Sequence, residues 1–326
     1  MERKLNLRVS AITWTGASLL AVFMAVPTIG APVGVNAKSQ PGDDLFGGEK
    51  IRTIRVELDE SALAGLNRNE RAYVRAQVRD EERVYPDVGI HLKGVASFQP
   101  LSQKPNFTVK FNQFSPQQRY HGLKKFMLNN STQDPTFLAE QLSSQIFRDA
   151  GVPAPRATHA FVELNGRQLG LYVLVEAVTS DFLTQHFKNG SGALYEGYMQ
   201  DIDQPLDQDG GADNGQRDLK KLLEICRIED PVERWRRLPE VLEVDAYLAH
   251  CAVEMFIGHT DGYAMNRNNY RLYHDPATQR FTMIPHGLDW GFANAGAPVH
   301  PPTTSIITHA VLGTPEGQAR YCERAL

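Results

Sequence analysis

Hydrophobic positions along the chain change period part-way. In the first half they recur every second residue: 51–56 and 88–93 alternate as strands do, and Phe107, Val109 and Phe111 share one face with Thr108 and Lys110 on the other. A turn-rich stretch, 94–104, separates the last two. Asp134-Pro135 then predicts a helix with Asp as N-cap and Pro at the first helical position, running through Leu138, Leu142 and Phe147 until Gly151 stops it. Strands at 160–164 and 169–176 flank Asn165-Gly166, a hairpin turn signal. After about Val178 the spacing becomes helical: 181–187 is short, 209–215 is an acidic, glycine-rich turn, 219–228 and 245–257 have helical apolar spacing, and 269–284 reads as a hairpin. Strands first and helices second predict an α+β arrangement or two lobes, not a doubly wound parallel sheet. There is no internal repeat.

The N-terminus reads as an export signal. Arg3, Lys4 and Arg8 form a basic region, 11–26 is uncharged and apolar, and Pro27 breaks it. Val35-Asn36-Ala37 supplies a cleavage site, so 1–37 is the expected signal peptide and the Pro/Gly/Asp-rich 38–50 a flexible lead. The competing reading is an uncleaved anchor, since sixteen apolar residues at about 1.5 Å each reach roughly 24 Å. The whole chain has 326 residues, 42% hydrophobic and 22% charged, with a formal charge of -4. Loss of three basic residues and Glu2 would take the mature chain to -6, with no basic excess to hold nucleic acid or an anionic membrane. No stable membrane insertion is expected after cleavage.

Cys226, Cys251 and Cys322 are an odd set with no C-x-x-C and no metal-ligand spacing. Export permits one disulfide, and Cys251, in an apolar run, is expected to be a buried free thiol. The acidic cluster Asp201, Asp203, Asp207, Asp209 and Asp213 misses the EF-hand pattern and reads as a solvated loop. No G-x-S-x-G, H-E-x-x-H or Walker loop occurs, which removes the commonest hydrolase and NTPase readings.

The candidate chemistry sits in one window. His259, Asp261 and Asn266 reproduce H-R-D-x-x-x-x-N with Thr260 in place of Arg, and Asp289-Trp290-Gly291 follows as D-F-G does in protein kinases. Phosphoryl transfer needs one carboxylate to orient and deprotonate the acceptor hydroxyl, and an amide oxygen and a second carboxylate to hold Mg²⁺ against the phosphates. Asp261, Asn266 and Asp289 carry those groups in the kinase order.

The sequence resembles the CotH kinase family. The resemblance is carried by 134–155, by the run from Asn165-Gly166 to Leu174-Val175-Glu176, by Asp261-Gly262-Tyr263 with Asn266, by Asn268-Asn269-Tyr270 with Leu272-Tyr273, and in part by Ile284-Pro285-His286-Gly287-Leu288-Asp289. It implies an atypical, two-lobed protein kinase-like fold, with a strand-rich N-lobe at 51–178 and a helical, shortened C-lobe at 179–326. It also implies ATP with Mg²⁺ or Mn²⁺ as cofactors and transfer of the γ-phosphate to Ser/Thr-type hydroxyls of an extracytoplasmic protein.

Carried over residue by residue, Asp261 is the expected catalytic base, and Asn266 and Asp289 the metal ligands. Lys110 is the phosphate-pairing lysine, with Lys104 as rival; Glu140 is its ion-pair partner, and Glu176 falls where the lobe-connecting segment passes adenine. Two positions depart from the family's I-P-W-D-x-D segment: His286 stands for Trp and Gly287 for the first Asp. Gly287 supports a competing reading, a surface binding or adhesion protein on a kinase-like scaffold with decayed catalysis. Transfer of AMP is a third possibility, because fold does not fix reaction.

Overall fold

The computed structural model describes residues 39–81 and 83–325, so the expected signal peptide lies outside the described residues. One helical turn, α1 (Asp43–Phe46), precedes β1 (Arg52–Glu57), α2 (Glu60–Arg68), β2 (Val74–Asp80), β3 (Arg83–Lys93), β4 (Asn106–Lys110), β5 (Lys125–Asn129), α3 (Ala139–Asp149), β6 (Ala157–Leu164) and β7 (Arg167–Glu176). These seven strands close into a barrel in the order β1-β2-β3-β4-β5-β7-β6, with β1 and β6 pairing in parallel at the seam. Alternation decides the faces. Ile54, Val78, Ile90, Phe107, Val109, Phe111, Phe126, Val162 and Leu174 fill the interior, so the intervening residues of β3, β4, β5 and β7 face outward.

The hairpin signal at Asn165-Gly166 holds: both residues have positive φ, 48° and 80°, and Leu164 pairs with Arg167 across a two-residue turn. The α3 boundary differs from the sequence reading. Phe137 has φ 61°, which no helix tolerates, and Asp134 instead organises a non-helical turn: its Oδ1 accepts from Thr136 N and its Oδ2 from Ala139 N, the first helical amide. Within the expected lead, α1 buries Leu45 against the barrel.

The second half contains α4 (Ser180–His186), β8 (Ala193–Gly197), β9 (Asp207–Gly210), α5 (Arg217–Cys226), α6 (Pro231–Arg237), α7 (Val244–Phe256), α8 (Tyr263–Asn266), β10 (Tyr270–Asp275), β11 (Arg280–Pro285), α9 (Ile306–Leu312) and α10 (Pro315–Ala325). It is helical, as expected, but also holds a four-stranded sheet ordered β11-β10-β8-β9. Part of the expected acidic turn is therefore strand β9. Asp201, read as solvated, is 5% exposed and accepts a hydrogen bond from Tyr263 Oη at 2.7 Å. The architecture is α+β. Cys226 and Cys251 are buried and Cys322 exposed, all three as free thiols. No helix among the described residues is long and apolar enough to cross a membrane.

Candidate active site

A cavity of about 590 Å³ lies between the outward face of the barrel and the second sheet. Strand alternation aims His91 and Lys93 of β3, Thr108 of β4, and Lys125, Met127 and Asn129 of β5 into it. Glu140 enters from α3, and Glu196 and Arg271 come from β8 and β10. Asp261, Asn268, Asn269, Gly287 and Asp289 close the floor.

Asp261 sits in a cradle of amides. Asn266 Nδ2 donates to its Oδ1 at 2.6 Å, while Asn268 Nδ2 and Asn269 Nδ2 donate to its Oδ2 at 3.1 and 2.7 Å. Three donors fix the carboxylate's orientation and leave lone-pair capacity for one more proton donor. The three asparagines converge because α8 is a single turn ended by Arg267 in the left-handed region (φ 52°), after which Asn269 is again left-handed (φ 50°).

Asp289 is carried by a 3-10 turn, Leu288–Trp290, that packs on α3. Gln133 lies between Asp289 and Trp290: with its amide turned to satisfy both neighbours, it donates to Asp289 Oδ2 at 3.1 Å and accepts from Trp290 Nε1 at 2.8 Å. Burial raises the Asp289 carboxyl above its usual range. Burial, with the nearby charge of Asp289, pushes Glu140 up to about 8 despite the opposing charge of Lys93. Lys93 is lowered by burial against the pull of Glu140 and Asp289, and its Nζ donates to Asn129 Oδ1 at 2.7 Å.

The expected site residues divide. Asp261, Glu140 and Asp289 line the one cavity; Asn266 contacts Asp261 but lies outside the lining, where Asn268 and Asn269 stand instead. Lys110 shares the outward face of β4 with Thr108, yet its Nζ lies over the Tyr73 ring, 5.5 Å from the centroid, outside the lining. Lys104 is stacked over Phe137 and Tyr172. Glu176 is turned away: Arg156 grips it through Nε at 2.9 Å and Nη2 at 2.7 Å, while its neighbours Val175, Ala177 and Val178 line the cavity. The lysine facing Glu140 and Asp289 is Lys93, which sequence reasoning passed over. Its signal was there: Lys93 shares the period-two face of His91 and directly precedes Gly94.

These groups fit a metal nucleotide. Glu140 is 4% exposed and its Oε2 has no hydrogen-bond partner; burial beside Asp289 favours its neutral form, and added positive charge there would favour the carboxylate. Among the described residues no three His, Cys, Asp or Glu side chains stand together as a complete metal site, so a cation held by Asp289 would need amide and phosphate oxygens as well.

The family described as CotH kinase protein matches residues 90–319, more than two thirds of the chain, a range that takes in Lys93, Glu140, Asp261 and Asp289. The chain belongs to the CotH kinase family. Inner spore coat protein H of Bacillus subtilis (strain 168) is 26% identical over 212 residues, covering 58% of this CotH family chain and 55% of that protein. Spore coat protein homolog 1 of Rhizopus delemar is 24% identical over 170 residues, covering 46% and 27% respectively. The chain thus spans about half the length of the first relative and about a quarter of the second.

Proposed function

We propose that this CotH family chain is an ATP-dependent protein kinase acting outside the cytoplasm. The observation that supports it best is the convergence of Lys93, Glu140, Asp261 and Asp289 on one cavity. In this reading the barrel half, 51–178, is the N-lobe and 179–326 the C-lobe, with the stretch 94–97 folding over the phosphates and Val175, Ala177 and Val178 contacting the base. Lys93, in place of Lys110, pairs with phosphate oxygens and is balanced by Glu140. Asp289 would hold Mg²⁺ or Mn²⁺, with an asparagine amide oxygen of the 266–269 segment as the second protein ligand. Bound metal would supply charge neutralisation of the phosphates.

The chain's own groups then do the following. Asp261, clamped by its three amides, accepts the proton of a Ser/Thr-type hydroxyl as the oxygen bonds to the γ-phosphorus and the bond to the ADP oxygen breaks. Extracytoplasmic action rests on the export-type N-terminal sequence and on the Bacillus relative's name as an inner spore coat protein; N-terminal sequencing of the mature protein, expected to start at Lys38, tests it.

Gly287 favours a second reading, nucleotide binding without transfer, because no carboxylate stands there. Incubation with γ- and α-labelled ATP and Mg²⁺ or Mn²⁺ separates the cases. Acceptor labelled only from the γ position is the expected result; α-label would mean AMP transfer, and binding without either label would mean a decayed enzyme.

A further inference from the structure

Under the loop that carries Asp261 lies a buried cluster that phosphate transfer leaves unused. Glu254 of α7 is 1% exposed. Its Oε1 accepts from the Tyr263 amide at 3.0 Å and from His250 Nε2 at 3.1 Å, and its Oε2 accepts from the Ala264 amide at 3.2 Å. As the first amides of α8, these two have no acceptor within their own turn. Burial works against the charge on Glu254, but His250, His259 and the Ala264 amide outweigh it and hold the carboxyl below its usual range.

The loop lies unusually close to that carboxylate. A Cβ on Gly262 would stand 2.2 Å from Glu254 Oε1, although the Gly262 φ of -84° suits any residue. It is the contact, not the backbone, that requires glycine. Tyr263 is fixed at its far end too, where its hydroxyl donates to Asp201 Oδ1 at 2.7 Å and accepts from Ile307 N at 3.2 Å. A rigid aromatic strut held at both ends therefore starts two residues after Asp261.

We propose that Glu254 is a positioning residue for Asp261: by holding the Tyr263 and Ala264 amides it fixes the turn on which Asp261 meets its asparagines. The inference rests on the kinase reading for its kinetic consequence only. Glu254→Gln keeps the shape but replaces one acceptor oxygen with an NH₂ that faces another donor.

Amide hydrogen exchange and steady-state kinetics test it together. In the wild-type chain the Tyr263 and Ala264 amides should exchange as slowly as those inside α7. In Glu254→Gln, exchange across 261–266 should quicken about tenfold or more with the barrel unchanged, and kcat should fall about tenfold or more with KM for ATP within about twofold. Gly262→Ala, which presses on the same contact from the loop side, should do the same. Fast exchange of the two amides in the wild type would overturn the proposal without any variant. So would unchanged loop exchange and kcat in either variant that folds, or a kcat loss matched by a rise in KM. If the wild type transfers no phosphate yet the loop loosens in the variants, the anchoring stands and the kinase reading falls.

Discussion

Asn269 and Gly287 compete for the same space: a Cβ on Gly287 would stand 2.6 Å from Asn269 Oδ1, and the Gly287 backbone is left-handed at φ 60°. Asn269 can lie there, and donate through its Nδ2 to both the carbonyl and the carboxylate of Asp261, because position 287 carries no side chain. Gly287→Asp should therefore lose about 1–2 kcal/mol of stability from the backbone alone. Chemical denaturation would read this, and a variant as stable as the wild type would contradict the packing.

Binding and chemistry should separate between the two floor carboxylates. Asp289→Asn should abolish the metal-dependent rise in melting temperature with ATP, whereas Asp261→Asn should retain it and lose transfer by about two orders of magnitude. Equal transfer by Asp261→Asn and wild type would remove Asp261 as the base.

The two barrel lysines provide a comparison. Lys93→Met should weaken metal-ATP binding at least about tenfold, since Lys93 is the cavity cation beside Glu140 and Asp289. Lys110→Met, over the Tyr73 ring and outside the lining, should stay within about twofold. Isothermal titration would decide, and the reverse ranking would return the role to Lys110.

In the metal-free protein Glu140 should make stability fall with pH. Its folded value of about 8 exceeds the ordinary 4.5, so its contribution is fully present below the ordinary value and lost as pH rises through about 8. Asp289, also raised, acts in the same direction. Melting temperatures of chelated protein across that window should decline, with a shallower slope in Glu140→Gln; identical slopes would contradict the assignment.

Arg156 joins three segments: its side chain grips buried Glu176, pairs with Asp43 at 2.9 Å and donates to Pro41 O. Arg156→Ala leaves Glu176 as an uncompensated buried charge and should cost about 3 kcal/mol or more. Denaturant titration measures it, and a loss below about 1 kcal/mol would show that Glu176 finds another partner.

Local pattern was enough wherever a residue's role follows from its immediate neighbours. Alternation through 107–111 sorted barrel interior from outward face, Asn165-Gly166 specified a turn whose φ values few other pairs adopt, and the motif order picked out Asp261 and Asp289, which line one cavity. Tertiary structure alone decided the rest. Strands β2 and β5 carry charged residues, and barrel closure supplies their hydrogen-bond partners on both sides. The α3 start moved from Pro135 to Ala139 because Phe137 takes a left-handed conformation that no spacing announces. Which lysine shares a cavity with Glu140 depends on how the barrel strands are set around it. Lys93, Lys104 and Lys110 look alike in sequence, and only the folded barrel with its loops sends one to the cavity and the other two onto aromatic rings. Glu254 gave no sign at all, since a carboxylate in a helix reads as solvated until the fold buries it under an amide pair that has no other acceptor.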